Sequence, residues 1–239
     1  MKRIIKGDEP VSFIKTKLEN QKAGLKMRYD THLGTAERKP IKEALLKEQG
    51  FICAYTLKRI GLGTSHIEHL KPEELCRKQM EEGIETVSDL DYSNMVACFP
   101  KDGPKGIPKH KYFGAIKKDD NWINNGKDYI LPLQVNCEDH FKYTKSGEIT
   151  GVTPNGNFTI ELLGLRHPIL VEERKNAIDN FIGKTTPIRK AKTTQAISEI
   201  DKISDGKYAE FCIPLKHALQ EHLVYLEKLE KKLKYVRKK

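Results

Sequence analysis

The sequence predicts an α+β fold in which short strands lie between helical segments and the C-terminal half is mostly helical. Apolar residues recur at three- and four-residue spacing in residues 11–25 and 40–50, which is typical of amphipathic helices. The middle of the chain has short runs of β-forming residues bounded by glycine- and proline-rich turns. Residues 213–239 return to the helical spacing over a long segment.

The N-terminal part, residues 1–47, is predicted to be a basic helical segment. Its second helix is expected to begin near Pro40, whose fixed φ angle and missing N–H are tolerated in a first helical turn. Gly50 suits the end of the same helix, because glycine readily adopts the backbone conformation that follows a helix.

Residues 48–125 are predicted to form a second region, built around short strands. Residues 51–69 resemble two strands around the turn-forming GLGT, and residues 73–90 a helix or a long loop. The short apolar segment 91–100 follows. Residues 101–114 then combine three glycines and two prolines with four lysines and a histidine, which predicts a positively charged loop.

The last region, residues 126–239, is predicted to be mostly helical, with a hairpin near 141–152. ILPLQV at residues 130–135 is predicted to be a strand, and KSGE to be the turn of the hairpin. Helices are predicted over residues 167–182, 193–203 and 213–239. The apolar stripe of the last helix steps by three or four residues and consists of Leu219, Leu223, Leu226, Leu229, Leu233 and Val236.

The charge of the chain points to an anionic partner. Lys and Arg number 43 against 33 Asp and Glu, so the 239 residues carry a formal net charge of +10. Nucleic acid is the first candidate for such a partner. The alternative is that the lysines only form a solvated surface.

The cysteines and the hydropathy pattern predict where the protein works. No apolar run approaches the ~20 residues that cross a membrane, and no secretory signal is visible in the first ten residues. The five cysteines are odd in number and form no CxxC pair, so a disulfide framework is not expected. We therefore expect a protein of the reducing cytoplasm with no membrane partner.

The stretch SHIEHLKP at residues 65–72 carries the candidate chemistry. In a strand, His66 and Glu68 share one face and His69 lies on the other. Phosphodiester hydrolysis needs a base near neutral pH, which a histidine can be, and a cation, which carboxylate oxygens hold. The alternative interpretation of the same residues is a charged surface loop.

The same residues resemble the HNH nuclease family, whose signature places an acidic residue before a histidine and a proline three positions later. Glu68-His69-Leu70-Lys71-Pro72 matches this first element, and Asp91-Tyr92-Ser93-Asn94-Met95 matches the central asparagine step. The resemblance implies a small ββα-metal unit embedded among helices. It also implies that His69 is the general base, that Glu68 binds Mg²⁺ or Mn²⁺, and that Asn94 orients the base or pins its loop.

Blocks outside this motif resemble the PtuB nucleases of Septu and retron-linked antiviral defence systems. These blocks are ICAYT, LDYSNMVAC, NCEDHFKYTKSGEI and LGLRHPILVEERK, between about residues 40 and 180. The resemblance implies an endonuclease that cleaves nucleic acid as the effector of an anti-phage system, together with a PtuA-type ATPase.

Two departures from these families concern metal sites. Many relatives frame the active site with a four-cysteine zinc site, but here Thr56 and Phe113 stand where two of the cysteines are expected. Cys53 and Cys98 remain, and two thiolates alone make a poor zinc site, so structural zinc is not expected. His110 is a candidate third zinc ligand, and buried thiols without metal are the alternative.

The second departure is at the last ligand of the catalytic metal. Aligning the family's lysine on Lys117 places Gly114 and Ala115, which have no ligating side chain, at the ligand positions. His110 or Asp119 could substitute. His66 is either a further ligand beside Glu68 or a polar strand residue.

The predicted function is metal-dependent cleavage of DNA or RNA, tRNA included. The predicted contacts to the nucleic-acid backbone come from the basic loop and are Lys101, Lys105, Lys109, Lys111, Lys117 and Lys118. The alternative, which the missing ligand favours, is a catalytically decayed HNH subunit that binds nucleic acid or supports assembly.

Overall fold

The computed structural model describes residues 1–84, 86–184 and 187–236. Its first helices are α1 (Val11–Lys22), α2 (Tyr29–His32) and α3 (Thr35–Glu48), all close to the segment predicted to be helical. The predicted position of Pro40 is wrong. Helix α3 begins at Thr35, so Pro40 lies inside the helix instead of in its first turn.

The central part of the chain contains a two-stranded antiparallel sheet. Strand β1 (His66–His69) pairs with β2 (Met95–Cys98), with His66 opposite Cys98 and His69 opposite Met95. Helix α4 (Glu73–Glu81) and a 3-10 turn (Tyr92–Asn94) connect the two strands. A second 3-10 turn (Lys109–Lys111) and the short helix α5 (Ala115–Lys118) follow β2.

The strand predicted within residues 51–60 does not form. Ile52 and Arg59 make a single isolated bridge, and the chain between them closes a tight turn in which the Leu57 N–H donates to the Cys53 carbonyl. Phe51 and Leu57 both have positive φ angles, which interrupt an extended strand.

The C-terminal part begins with the second hairpin, formed by β3 (Phe141–Tyr143) and β4 (Ile149–Gly151). The hairpin lies within the predicted range of residues 141–152. The helices that follow are α6 (Pro154–Leu162), α7 (Pro168–Ile182), α8 (Lys190–Glu199) and α9 (Cys212–Val236). Residues 130–135 form turns instead of the predicted strand, since Pro132 has no N–H for a ladder and its carbonyl accepts from Ile4. The result is a mixed α+β chain, as predicted.

One large apolar cluster holds the site in place. It joins Leu45 of α3, all of β2, Phe141 of β3 and Ile160 of α6. A smaller cluster packs α7 and α8 against α9. Strand β2 is buried along its whole length, whereas β1 is fully buried only at His69, so β1 is the strand whose side chains reach the surface. None of the helices in the described residues is long and apolar enough to cross a membrane.

Candidate active site

His69, the last residue of β1, has a ring whose orientation is fixed from two sides. The side chain is 4% exposed, and the ring of Tyr29 packs edge-on against it at 4.6 Å between centroids. Its Nε2 lies 2.9 Å from the backbone oxygen of Asp89. A carbonyl only accepts, so Nε2 carries a hydrogen, and Nδ1 is the nitrogen that holds the lone pair whenever the ring is neutral.

The Nδ1 atom of His69 faces Glu73, one helical turn later in the first turn of α4. The Oε1 atom of Glu73 lies 3.1 Å from Nδ1, and the Glu73 side chain is 29% exposed. Arg77 lies behind it, with Nη1 at 3.7 Å from Glu73 Oε2 and 3.5 Å from Asp89 Oδ2. His69, Glu73 and Arg77 line a cavity of about 240 Å³ that also borders Glu68. Glu73 is exposed enough to turn aside, and Nδ1 would then face this cavity.

Asn94 contacts the loop after β1 and not the histidine ring. Its Nδ2 donates to the Lys71 carbonyl at 3.0 Å, and its Oδ1 accepts from the Lys71 N–H at 2.9 Å. The backbone adds a third bond, from the Leu70 N–H to the Asn94 carbonyl. Asn94 therefore fastens the residues that follow His69 to the start of β2, which is the second of its two predicted roles.

Glu68 forms a buried ion pair with Lys118 of α5. Its Oε1 lies 2.8 Å from the Lys118 Nζ, and the two side chains are 14% and 1% exposed. Burial alone would raise the pKa of Glu68, but the Lys118 ammonium and His66 hold that pKa below its ordinary value. The prediction that Lys118 grips nucleic acid is wrong, because its ammonium is buried against this carboxylate.

His66 lies beside Glu68 on the same face of β1, as the strand periodicity predicts. Its Nε2 is 3.7 Å from Glu68 Oε2, and its Nδ1 contacts the Pro100 carbonyl. Burial tends to lower the pKa of His66, and the neighbouring Glu68 carboxylate raises it above the ordinary value.

The four predicted metal ligands are not assembled. His110 lies exposed on the Lys109–Lys111 turn, and the carboxylate of Asp119 binds the Lys109 Nζ at 2.6 Å. Among residues 1–84, 86–184 and 187–236, no group of three or more His, Cys, Asp or Glu side chains could hold a metal ion. The side of Glu68 where further ligands were expected is filled by the Lys118 ammonium. These side chains do not fit a divalent metal, and the expected Mg²⁺ or Mn²⁺ stays a prediction.

Cys53 and Cys98 lie together as a buried thiol pair. Burial raises the pKa of the Cys98 thiol, as does its hydrogen bond with Cys53. Burial also acts to raise the pKa of Cys53, but hydrogen bonds from Cys98, the Phe99 N–H and Thr56 lower it to about 6. Thr56 thus gives the Cys53 sulfur a hydrogen bond at a position where relatives have a zinc-binding cysteine.

The remaining predicted lysine contacts divide by exposure. Lys101, Lys105, Lys109 and Lys111 are exposed on the loop between β2 and α5, and Lys109 is paired with Asp119. Lys117 is half-buried and lies close to Gly164. The loop therefore presents positive charge to solvent as predicted, but only over residues 101–111.

Sequence reasoning missed three contributors to the site. Glu73 could have been found, because it lies four residues after His69 at the start of a helix. Asp89 contributes a backbone carbonyl, which any residue type supplies, so no sequence signal marks it. For Lys118, the sequence predicts one more phosphate-binding cation of the basic loop. Its burial against Glu68 depends on the path of the chain around α5.

The chain is similar to a curated protein from a bacterium. It is 27% identical over 165 residues to "Retron Vc95 putative HNH endonuclease" of Vibrio cholerae serotype O1 biovar El Tor. The aligned region covers 64% of this chain and 71% of that protein. No protein-family model matches the chain. The similarity supports the HNH endonuclease resemblance and the retron context, at low identity.

Proposed function

We propose that the protein is an HNH-type endonuclease that hydrolyses phosphodiester bonds of nucleic acid, with His69 as the general base. The observation that carries this proposal is the pairing of His69 Nε2 with the Asp89 carbonyl at 2.9 Å. That bond keeps a ring hydrogen on Nε2, so the Nδ1 lone pair of the neutral ring faces the cavity once Glu73 turns aside. The name of the relative from Vibrio cholerae supports the same activity.

The proposed reaction begins with a water molecule next to Nδ1. Glu73 covers this atom and is 29% exposed, so it can turn toward solvent when a substrate enters. Nδ1 then takes a proton from the water while the water oxygen bonds to phosphorus and the bond from phosphorus to the 3′ oxygen breaks. Asn94 keeps the loop after His69 in place through its two bonds to Lys71.

The proposed substrate contact is the exposed part of the basic loop. Lys101, Lys105 and Lys111 are exposed there, and Lys109 can exchange its bond to Asp119 for a phosphate. Lysine ammonium groups bind phosphates as point charges and release counterions, so binding should weaken steeply with salt. This chemistry serves DNA and RNA alike.

The proposed setting is an anti-phage system in which a PtuA-type ATPase works beside the nuclease. The supporting observations are the retron in the relative's name and the resemblance of the NCEDHFKYTKSGEI and LGLRHPILVEERK blocks to PtuB nucleases. The ATPase would control access to the cavity at His69.

The second candidate is a decayed HNH subunit that binds nucleic acid without cutting it. One observation favours it: the carboxylate of Glu68 is engaged by Lys118 and not surrounded by further ligands. Such a subunit would keep the basic loop and lose the chemistry.

One experiment separates the two candidates. Plasmid, single-stranded DNA and tRNA are incubated with the wild type, His69→Ala and the control His32→Ala, with and without the ATPase. His32 is an exposed histidine at the end of α2. We expect wild type and control to cut at least one substrate, and His69→Ala to cut it roughly 10²–10⁴-fold more slowly while binding it equally well. Equal cleavage by His69→Ala, or binding without any cleavage by the wild type, would contradict the proposal.

A further inference from the structure

Lys118 lies where a metal ion would be expected beside Glu68, and its ammonium is fully hydrogen-bonded there. The Nζ atom lies 2.8 Å from Glu68 Oε1, 3.2 Å from the His69 carbonyl and 3.3 Å from the Asp119 carbonyl. An ammonium has three N–H donors, so these oxygens match its capacity. With 1% of the side chain exposed, the group is a fixed buried charge and not a mobile surface lysine.

The backbone around α5 explains why this position carries a lysine. Gly114 precedes the helix with φ 67° and ψ −144°, a conformation that is nearly restricted to glycine. A Cβ there would also meet the Thr56 Cγ2 at 3.3 Å. The Lys118 N–H donates to the Gly114 carbonyl at 3.1 Å, so the two residues lie on the same face, one helical turn apart. A ligating side chain is thus disfavoured at Gly114, and the next residue on that face supplies a cation.

A divalent ion at Glu68 would have to compete with this arrangement. Oε1 of Glu68 is already bound by the ammonium, and Oε2 lies 3.7 Å from His66 Nε2. Two positive charges held at one carboxylate repel each other strongly where water is excluded. The carboxylate of Asp119, the residue after α5, is bound to Lys109.

We propose that Lys118 is the resident cation of this site: its ammonium takes the place of a divalent metal ion at Glu68, and the protein works with this built-in positive charge. The inference rests on the proposed function for its catalytic part. In that reaction the water oxygen bonds to phosphorus, His69 Nδ1 takes the water proton, and the departing 3′ oxygen takes a proton from solvent. Lys118 gives up no proton. It acts as a positioning residue, which fixes Glu68 and the His69 backbone and makes the cavity more positive.

The direct test is Mn²⁺ binding to the full-length chain, followed by the electron paramagnetic resonance signal of free Mn²⁺. The proteins compared are the wild type, Glu68→Gln, Lys118→Ala and the double variant. The control is Lys127→Met, which removes an exposed lysine outside this cluster. We expect Glu68→Gln to leave the wild-type binding curve unchanged. We expect Lys118→Ala to bind Mn²⁺ at least tenfold more tightly than the wild type, and the double variant to lose this gain.

Two results would overturn the inference. One is stoichiometric Mn²⁺ binding by the wild type that disappears in Glu68→Gln, and this comparison needs no Lys118 variant to fold. The other is a folded Lys118→Ala that binds no more Mn²⁺ than the wild type, since the ammonium would then not be what keeps the ion out.

An activity measurement separates this inference from the proposed function. We expect cleavage to continue in excess chelator, to change less than about threefold when Mg²⁺ or Mn²⁺ is added, and to fall in Lys118→Met, which keeps the length of the side chain without its charge. Cleavage that requires Mg²⁺ would contradict the inference and leave the nuclease intact. Absence of cleavage under every condition, with the Mn²⁺ results as expected, would contradict the nuclease and leave the built-in cation standing.

Discussion

The two short antiparallel sheets in the described part of the chain are similar in size, but their side chains have very different surroundings. The sheet of β3 and β4 turns Phe141, Tyr143 and Ile149 into the apolar cluster, and each is almost completely buried. The sheet of β1 and β2 buries apolar residues only on β2, while β1 presents His66, Glu68 and His69 to charged and polar partners. Buried ionisable groups are unfavourable unless each is paired, so their concentration on one short strand indicates a functional role for that strand.

The two sheets should therefore respond differently to mutation, and the largest effect on stability is expected in the second. Phe141 is 2% exposed and contacts the main cluster. Replacing it with alanine should lower the free energy of unfolding by about 3–5 kcal/mol through lost burial and a cavity. The measurement is urea unfolding followed by circular dichroism. Val152→Ala, at a 62% exposed position just after β4, is the control and should change stability by less than about 0.5 kcal/mol.

In the sheet of β1 and β2, the largest loss of stability on mutation should come from an unpaired buried charge and not from lost packing. Glu68→Gln leaves the buried Lys118 ammonium without its carboxylate, so we expect a loss of about 3 kcal/mol at pH 7. Glu74→Gln, an exposed position in the first turn of α4, is the matched control.

The loss caused by Glu68→Gln should depend on pH in a definite direction. The pKa of Glu68 in the folded protein lies below its ordinary value of 4.5. Its contribution is therefore complete above pH 4.5 and decreases as the pH falls through the folded-state pKa. Unfolding curves of wild type and variant should converge on acidification. A difference that stays constant down to the lowest pH at which both fold would contradict the ion pair.

A smaller loss of stability is expected from Asn94, which binds the loop after β1. Asn94→Ala removes two hydrogen bonds and leaves the Lys71 N–H and carbonyl without those partners, which should lower stability by roughly 1–3 kcal/mol. Cleavage per folded molecule should fall as well, because the loop follows His69. Asn176→Ala, at an exposed position in α7, should change neither quantity. An Asn94→Ala protein as stable as the wild type would show that the loop is held by other contacts.

The smallest effect on the fold is expected from the lysines beyond β2. Changing Lys101, Lys105 and Lys111 to Gln should leave stability within about 0.5 kcal/mol, since all three are exposed. The slope of log affinity for DNA against log salt should decrease by about one per lysine that contacts a phosphate. The control is a triple variant that changes three exposed helix lysines to Gln: Lys15 of α1, Lys39 of α3 and Lys78 of α4. Equal slopes in the two triple variants would remove the loop from the proposed interface.

The comparison also shows which features a sequence reveals. Periodicity was sufficient for the long helices, and the KSGE turn between apolar runs was sufficient for β3 and β4. HIEH was visible as the end of a strand, whereas MVAC, which forms β2, was recognised only as part of the short apolar segment 91–100. Residues 130–135 misled the same reasoning. They have strand composition, but Pro132 and local turns occupy the backbone groups that a ladder would need.

The candidate site was only partly visible in the sequence. The pairing of His66 with Glu68 follows from strand alternation, and the placement of Asn94 beside Lys71 agrees with the family motif. The burial of Lys118 was not predictable from residue type, because lysine is nearly always exposed and its position here depends on the backbone at Gly114. The contact from the Asp89 carbonyl to His69 could not be predicted either, because a backbone carbonyl is the same whatever the residue type.

The most direct test of the account is the position of the hydrogen on the His69 ring. Nitrogen-15 NMR of histidine-labelled protein, with His69→Gln used to assign the signals, shows which nitrogen of the neutral ring carries the hydrogen. We expect the neutral ring to carry its hydrogen on Nε2, held by the Asp89 carbonyl, and its lone pair on Nδ1. A neutral ring with its hydrogen on Nδ1 and its lone pair on Nε2 would contradict the assignment of His69 as the base that faces the cavity.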